Sequence, residues 1–124
     1  MIIHATALID PGSEIEEGVE IGPYAVIGDG VRIGAGTRIQ HHASIMGPSV
    51  VGRDNQIFPF AALGAGPQDI GYRNEPTRLE IGDRNIFREF VSTNRGTTKG
   101  GGVTTIASDC YFMSNSHVAH DCLV

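Results

Sequence analysis

The sequence predicts an all-β fold, a parallel β-helix in which three short strands form each triangular coil. Two observations predict it, an aliphatic residue at every sixth position and a small or slim residue four positions later. Glycine often follows the aliphatic residue directly. The aliphatic positions are Ile3, Ile9, Ile15, Ile21, Ile27, Ile33, Ile39, Ile45, Val51, Ile57 and Leu63, and the small residues run from Ala7 to Ala61.

The length of the repeat explains why strands are expected. Six residues are too few for a helix and a turn, but they suffice for a short strand and a tight corner, where glycine adopts positive φ at little cost. β-Branched side chains pack well on a pleated surface, so the aliphatic residue is expected to point into the prism. A β-sandwich would instead require longer strands and alternation with period two.

Composition is consistent with one narrow β-helix domain over residues 1–124. Hydrophobic residues make up 40% of the chain, aromatic residues only 6%, and tryptophan is absent. The net charge of −5 argues against a nucleic-acid partner. The chain has neither an apolar run long enough to span a membrane nor a leader pattern, so we expect a cytoplasmic location. Cys110 and Cys122 fall on different faces and are expected to be buried free thiols.

Two segments interrupt the repeat and are expected to leave the prism as loops, at about 69–80 and 99–105. Asp69 and Glu75 occupy positions where an aliphatic residue is expected, and Ile81 resumes the repeat in phase. The second segment contains three consecutive glycines, which are typical of a flexible excursion. Because loops on rigid scaffolds often contain functional residues, both segments are candidate parts of a site. No capping segment follows the repeat at Val124, so C-terminal coils and a helical cap are expected to be missing.

The stretch Asn115–Cys122 contains the candidate catalytic residues. The repeat turns Val118 inward, and therefore turns His117, His120 and Asp121 outward. An exposed histidine beside an aspartate can act as a general base, because imidazole titrates near neutral pH and the carboxylate fixes its tautomer. From the spacing alone, a solvated surface without catalytic function remains the alternative.

Several motifs occur together and in order: Gln68-Asp69, Glu75-Pro-Thr-Arg78, Ile81-Gly-Asp-Arg-Asn85, Arg95-Gly96-Thr97, Gly100-Gly-Gly102 and His117-Val-Ala-His-Asp-Cys122. In these motifs the chain resembles the acyl-carrier-protein–UDP-N-acetylglucosamine O-acyltransferases, which catalyse the first step of lipid A biosynthesis. The resemblance implies a left-handed β-helix, a homotrimer, and active sites between neighbouring subunits. It implies acyl carrier protein and UDP-N-acetylglucosamine as partners.

The resemblance also implies roles for individual residues. His120 corresponds to the general base and Asp121 to the carboxylate that orients it. His117 and Asp69 correspond to residues that contact the sugar nucleotide, with Gln68 as a weaker candidate. The implied transfer needs no metal and no cofactor, since the acyl-phosphopantetheine arrives on the carrier protein. The family commonly has a lysine shortly after the first-loop aspartate, where this chain has Ile70-Gly71, and Arg73 is the nearest alternative cation.

Three other functions remain open at this stage. One is a related hexapeptide N-acyltransferase of the same pathway. A second is a zinc hydratase of the γ-carbonic-anhydrase kind, for which His117 and His120 would supply two ligands. The third is a non-catalytic β-helix fragment or scaffold. Since the resemblance implies that further parts of the site lie after Val124, residues 1–124 alone are expected to have negligible turnover.

Overall fold

The computed structural model describes all residues 1–124, which form seventeen short parallel strands in three sheets. The first face contains β1 (Ile2–Ile3), β4 (Glu20–Ile21), β7 (Arg38–Ile39), β10 (Gln56–Ile57), β13 (Ile86–Phe87) and β16 (Tyr111–Phe112). The second face contains β2 (Leu8–Ile9), β5 (Val26–Ile27), β8 (Ser44–Ile45), β11 (Ala62–Ala65), β14 (Ser92–Asn94) and β17 (His117–Val118). The third face contains β3 (Glu14–Ile15), β6 (Val31–Ile33), β9 (Ser49–Val51), β12 (Arg78–Ile81) and β15 (Val103–Ile106). Nowhere does the chain form a helix with the length and apolar character needed to cross a membrane.

Successive strands lie on successive faces, so every three strands complete one triangular coil. Ile3 pairs with Ile21, and Ile21 with Ile39, which places equivalent residues 18 positions apart. Backbone hydrogen bonds join neighbouring coils, as from the Ile2 N–H to the Val19 carbonyl at 2.9 Å. Three six-residue repeats therefore make one coil, as the sequence predicts.

The aliphatic positions form the core of the prism. From Ile21 to Leu63, every sixth residue is at most 2% exposed. The inward orientation predicted for these positions is therefore confirmed. Ile3 remains 41% exposed, and Ile9 and Ile15 are half-buried, because the first coil has a neighbour on one side only.

Buried asparagines stack at the corner between the third and first faces. The Asn55 side chain donates to the Gly82 carbonyl at 2.9 Å, and its oxygen accepts the Asn85 backbone N–H at 2.9 Å. The Asn85 side chain repeats this pattern one coil further on, between Ala107 and Cys110, at 2.8 Å for each bond. These amides satisfy corner backbone groups that the strand pairing leaves without partners.

Two coils contain additional residues. Ile57 pairs with Phe87 and Phe87 with Phe112, at spacings of 30 and 25 residues instead of 18. The additional residues lie between strands, in a first insertion at 66–77 and a second insertion at 95–102. Both begin and end earlier than the loops expected from the sequence. Strand pairing resumes before the inward residues Ile81 and Ile106, because β12 and β15 are each four residues long and end at these residues.

Both cysteines are free thiols, but their burial differs from the expectation. Cys110 is half-buried against the core, whereas Cys122 is exposed. The prediction of a buried thiol is therefore wrong for Cys122. This residue lies on the last coil, and no further coil within residues 1–124 covers it.

Candidate active site

Three segments converge along the edge between the second and third faces. The first insertion follows β11, the second insertion follows β14, and the turn at 119–122 follows β17. Because these three strands are neighbours in one sheet, the segments after them stack one above another. After the turn, Leu123 bridges to Thr105 of the third face. Side chains far apart in sequence therefore meet at this edge.

The turn after β17 brings His120 and Asp121 together. His120 Nδ1 lies 2.9 Å from Asp121 Oδ2, and the two side chains are 30% and 17% exposed. Asp121 has a φ of 67°, in the left-handed region that aspartate tolerates better than most residues. Its backbone N–H donates to the Thr104 hydroxyl at 2.8 Å. The turn thus fixes the carboxylate against the imidazole.

Thr97 of the second insertion holds the Asp121 carboxylate. Its backbone N–H donates to Oδ1 at 2.7 Å, and its hydroxyl donates to Oδ2 at 2.5 Å. Gly100 lies so close to the carboxylate that any side chain there would collide with it. The second insertion therefore fits around Asp121 only with glycine at this position.

The protonation state of the pair follows from these contacts. Burial raises the pKa of Asp121, but the hydrogen bonds from Thr97 and His120 outweigh it and leave the pKa below its usual range. An ionised carboxylate can only accept hydrogen bonds, so the proton between the two groups belongs to Nδ1 of His120. In the neutral imidazole, Nε2 is then the nitrogen that can accept a proton.

Asp69 of the first insertion forms an ion pair with Lys99 of the second. Lys99 Nζ lies 3.0 Å from Asp69 Oδ2, and the Gly71 N–H donates to Oδ1 at 3.2 Å. The hydrogen bond from Lys99 is the largest cause that lowers the pKa of Asp69, and the positive charge of a protonated His120 lowers it further. Asp69 is therefore close enough to His120 for the charge of the imidazolium to act on it. A cavity of about 120 Å³ beside this pair is lined by residues of both insertions, namely Asp69, Gly71, Tyr72, Glu75, Thr97, Thr98 and Lys99.

A second contact fastens the two insertions to each other. Arg95 donates to the Gly64 carbonyl at 2.6 Å and to the Tyr72 hydroxyl at 3.3 Å. The Tyr72 hydroxyl in turn donates to the Glu75 carbonyl at 2.8 Å. The hydrogen bond from Arg95 lowers the pKa of Tyr72 below its usual range. Arg95 thus fixes the base of the first insertion, while Lys99 holds its outer part.

The remaining predicted residues, His117 and Gln68, form no hydrogen bond with the His120–Asp121 pair. His117 is exposed on β17, and its Nδ1 lies 2.7 Å from the Ser92 hydroxyl and 3.1 Å from the Ser92 carbonyl. Gln68 is exposed beside Asp69 in the first insertion. No group of three or more histidine, cysteine, aspartate or glutamate side chains is arranged to hold a metal ion.

Four further residues belong to the site and were not predicted from the sequence: Thr97, Lys99, Arg95 and Tyr72. Thr97 and Arg95 belong to a motif that supports the family resemblance, but their contacts depend on how the insertions fold. Lys99 has one signal that could have identified it, since it is the single lysine of the chain and lies in a predicted loop.

The class of protein follows from the fold and from one comparison. The model of the family "bacterial transferase hexapeptide (six repeats)" matches residues 1–35. Together with three parallel sheets, an 18-residue coil and no helix, this match defines a hexapeptide-repeat β-helix. The solved structure described next has this fold in its left-handed form, so the predicted fold class is confirmed.

Particular relatives are similar over the whole chain. The acyl-[acyl-carrier-protein]–UDP-N-acetylglucosamine O-acyltransferase of Syntrophobacter fumaroxidans is 48% identical over 124 residues, which are 100% of this chain and 48% of the relative. The enzyme of the same name from Thermodesulfovibrio yellowstonii is 46% identical over 122 residues, or 98% of this chain and 47% of the relative. The UDP-N-acetylglucosamine O-acyltransferase structure from Moraxella catarrhalis matches with a TM-score of 0.98 and 43% identity, over 100% of this chain and 48% of that one.

The chain is thus a homologue of these O-acyltransferases and spans about half the length of the curated relatives it matches. This similarity confirms the family resemblance that the sequence motifs indicate.

Proposed function

We propose that this chain forms part of an acyltransferase that moves an (R)-3-hydroxyacyl group from acyl carrier protein to the 3-hydroxyl of UDP-N-acetylglucosamine, the first step of lipid A biosynthesis. The observation that supports it best is the His120–Asp121 pair held by Thr97, in a chain similar throughout to O-acyltransferases. The proton assignment of the pair leaves Nε2 of His120 as a base directed away from the carboxylate.

In the proposed reaction, Nε2 of His120 takes the proton of the sugar 3-hydroxyl as its oxygen attacks the thioester carbon. The carbon–oxygen bond of the new ester forms and the carbon–sulfur bond breaks. The imidazolium then returns its proton to the departing thiolate. Asp121 stabilises the imidazolium while it exists, and the tetrahedral oxyanion needs a fixed hydrogen-bond donor. The thioester is already activated, so this transfer requires no metal or further cofactor.

Asp69 and His117 are proposed to bind the acceptor. Asp69 is ionised and lines the cavity between the two insertions, where a carboxylate can accept hydrogen bonds from sugar hydroxyls. The exposed ring of His117 is held through Nδ1 by Ser92, so its Nε2 is available to a polar group of the nucleotide. Gln68, exposed beside Asp69, is a weaker candidate for the same role.

A homotrimer and a cytoplasmic location complete the proposal. Exposed rings stack along the edge between the first and second faces, with His42 and Phe60 centroids 4.9 Å apart and Phe60 and Phe90 centroids 5.4 Å apart. Contiguous exposed aromatic surface of this kind is typical of protein interfaces. We expect a light-scattering mass three times that of the protomer, and a lower mass for Phe60→Glu but not for the exposed control Tyr111→Glu. The two substrates, a nucleotide sugar and a carrier-protein thioester, support a cytoplasmic location.

The experiment that tests the function is an acyl-transfer assay. The protein at its natural full length is incubated with 3-hydroxyacyl carrier protein and UDP-N-acetylglucosamine, and the product is identified by mass spectrometry. We expect an O-acylated sugar nucleotide and a loss of about 10²–10⁴ in kcat for His120→Ala. The control His4→Ala removes an exposed histidine of the first coil, whose side chain is hydrogen-bonded only to Thr6, and is expected to retain full activity.

Each outcome separates the alternatives. A His120→Ala rate within a few-fold of the wild type would show that the assigned base is wrong. Product formed only with an amino-sugar acceptor would identify an N-acyltransferase instead. Stoichiometric zinc with hydratase activity would identify the γ-carbonic-anhydrase class. No product with either acceptor would favour a non-catalytic scaffold.

A further inference from the structure

We propose that Lys99 is a positioning residue, which holds the Asp69 carboxylate at the cavity between the two insertions so that it can bind the sugar of the acceptor. This inference rests on the proposed function and adds a residue of the second insertion to it. The basis is the ion pair between the two insertions, with Lys99 Nζ 3.0 Å from Asp69 Oδ2.

The position of Lys99 is set by Thr97, the same residue that binds Asp121. The Thr97 carbonyl accepts the N–H groups of Gly100 and Gly102, at 3.2 Å and 2.7 Å, and its hydroxyl accepts the Gly100 N–H at 3.1 Å. These bonds close a tight turn over 98–101, which contains Lys99. The lysine that contacts Asp69 and the threonine that fixes Asp121 therefore belong to one hydrogen-bonded turn.

No other cation occupies this position. Arg73, the alternative from the sequence, donates to the Ile70 carbonyl at 3.0 Å and to the Tyr72 carbonyl instead of to Asp69. Arg95 donates to Gly64 and to the Tyr72 hydroxyl. Only Lys99 forms an ion pair with Asp69, whose side chain is 18% exposed. Loss of Lys99 would leave this shielded carboxylate with the Gly71 N–H as its remaining hydrogen-bond donor.

The exposure of Lys99 separates a positioning role from a structural one. Its side chain is 71% exposed, and an ion pair with so exposed a partner contributes little to folding stability. Removing Lys99 should therefore leave the melting temperature nearly unchanged. What should change is the ionisation and placement of Asp69, and hence the affinity for the sugar nucleotide.

The test compares Lys99→Ala and Lys99→Arg in the wild-type and Asp69→Asn backgrounds. We expect Lys99→Ala to raise KM for UDP-N-acetylglucosamine about tenfold with kcat within about threefold. The reason is that Asp69, no longer held in place, loses its charge-assisted hydrogen bond to the sugar. Lys99→Arg should restore KM to within about twofold. In the Asp69→Asn background, Lys99→Ala should have no further effect on KM. Arg32→Ala, which removes a cation from the exposed ion pair with Glu14, is the control and should leave KM unchanged.

A pH series adds a readout that a structural role would not change. In the wild type Lys99 keeps Asp69 ionised to lower pH, so in Lys99→Ala the rise of KM on acidification should begin at higher pH.

An unchanged KM in Lys99→Ala would overturn the inference. Effects of Lys99→Ala and Asp69→Asn that simply multiply would overturn it too, because Lys99 would then act on the substrate directly. If the wild type forms no product and calorimetry detects no UDP-N-acetylglucosamine binding, the proposed function and this inference both fail. If the wild type is active and KM is unchanged in Lys99→Ala, only the inference is refuted.

Discussion

Replacing Asp121 by asparagine tests the proton assignment at the site without changing the size of the side chain. The Thr97 N–H donates to Oδ1 at 2.7 Å and cannot reverse its role, so the amide oxygen must occupy that position. The amide NH₂ then occupies the position of Oδ2, between the Thr97 hydroxyl and Nδ1 of His120. The hydroxyl can rotate to accept, but Nδ1 can accept only by losing its proton.

The expected loss of activity follows from the tautomer of His120 that the asparagine amide imposes. In Asp121→Asn the proton of the neutral imidazole moves to Nε2, the nitrogen that is proposed to receive the substrate proton. His120 is then present but unable to act as a base, so we expect a loss in kcat approaching that of His120→Ala, about 10²–10⁴. At about 1.36 kcal/mol for each factor of ten, this corresponds to roughly 3–5 kcal/mol of lost transition-state stabilisation.

The assay is steady-state acyl transfer, with kcat and KM measured separately. Asp109→Asn is a closely matched control, because Asp109 also has a positive φ, 62° against 67°, and also lies between two strands, in a bend. Its carboxylate pairs with exposed Arg84 at another corner, so kcat should stay within about twofold. Asp121→Asn activity within about fivefold of the wild type would refute the proton assignment and the role of Asp121.

Three further predictions concern stability, each measured as a change in the free energy of unfolding. Phe87 is fully buried, so Phe87→Ala should cost about 3–5 kcal/mol. Tyr111→Ala, at an exposed position, should cost well under half of that, and equal costs would contradict the assigned core. Asn85→Ala should cost about 1–3 kcal/mol by leaving buried corner groups unpaired, and a neutral effect in urea unfolding would show that they find other partners. The pKa of Asp121 is lowered in the folded state, so its stabilisation is complete above its ordinary pKa near 4 and is lost as pH falls through the lower folded value. The stability difference between wild type and Asp121→Asn should therefore shrink between about pH 5 and pH 2 in denaturant titrations, and a pH-independent difference would contradict this.

The insertions show where prediction from sequence was accurate and where it failed. The break after Leu63 and the return at Ile81 were visible because acidic residues interrupt an otherwise regular aliphatic repeat. The start of β12 was predicted too late. Its pairing with β9 begins before the inward residue Ile81, and the aliphatic repeat gives no sign of this. The outward orientation of His117 followed directly from the inward position of Val118, which is 5% exposed.

The sequence by itself determined the coil and its core. A six-residue repeat places residues i and i+18 side by side, so one local pattern, repeated, fixes the strands, their register and the buried positions such as Ile27 and Ile57. The sequence motifs also indicated the family and identified the adjacent residues His120 and Asp121 as the candidate catalytic pair.

Only the tertiary structure decided which distant groups join that pair. Thr97 lies 24 positions before Asp121, and Lys99 lies 30 positions after Asp69, yet all four residues meet at one edge. Their contacts depend on the path of two insertions that do not follow the repeat, and on Gly100 passing close to a carboxylate from the next coil. Periodic burial fixes the register of the coils, whereas the contacts between loops are set by three-dimensional packing, which the repeat does not encode.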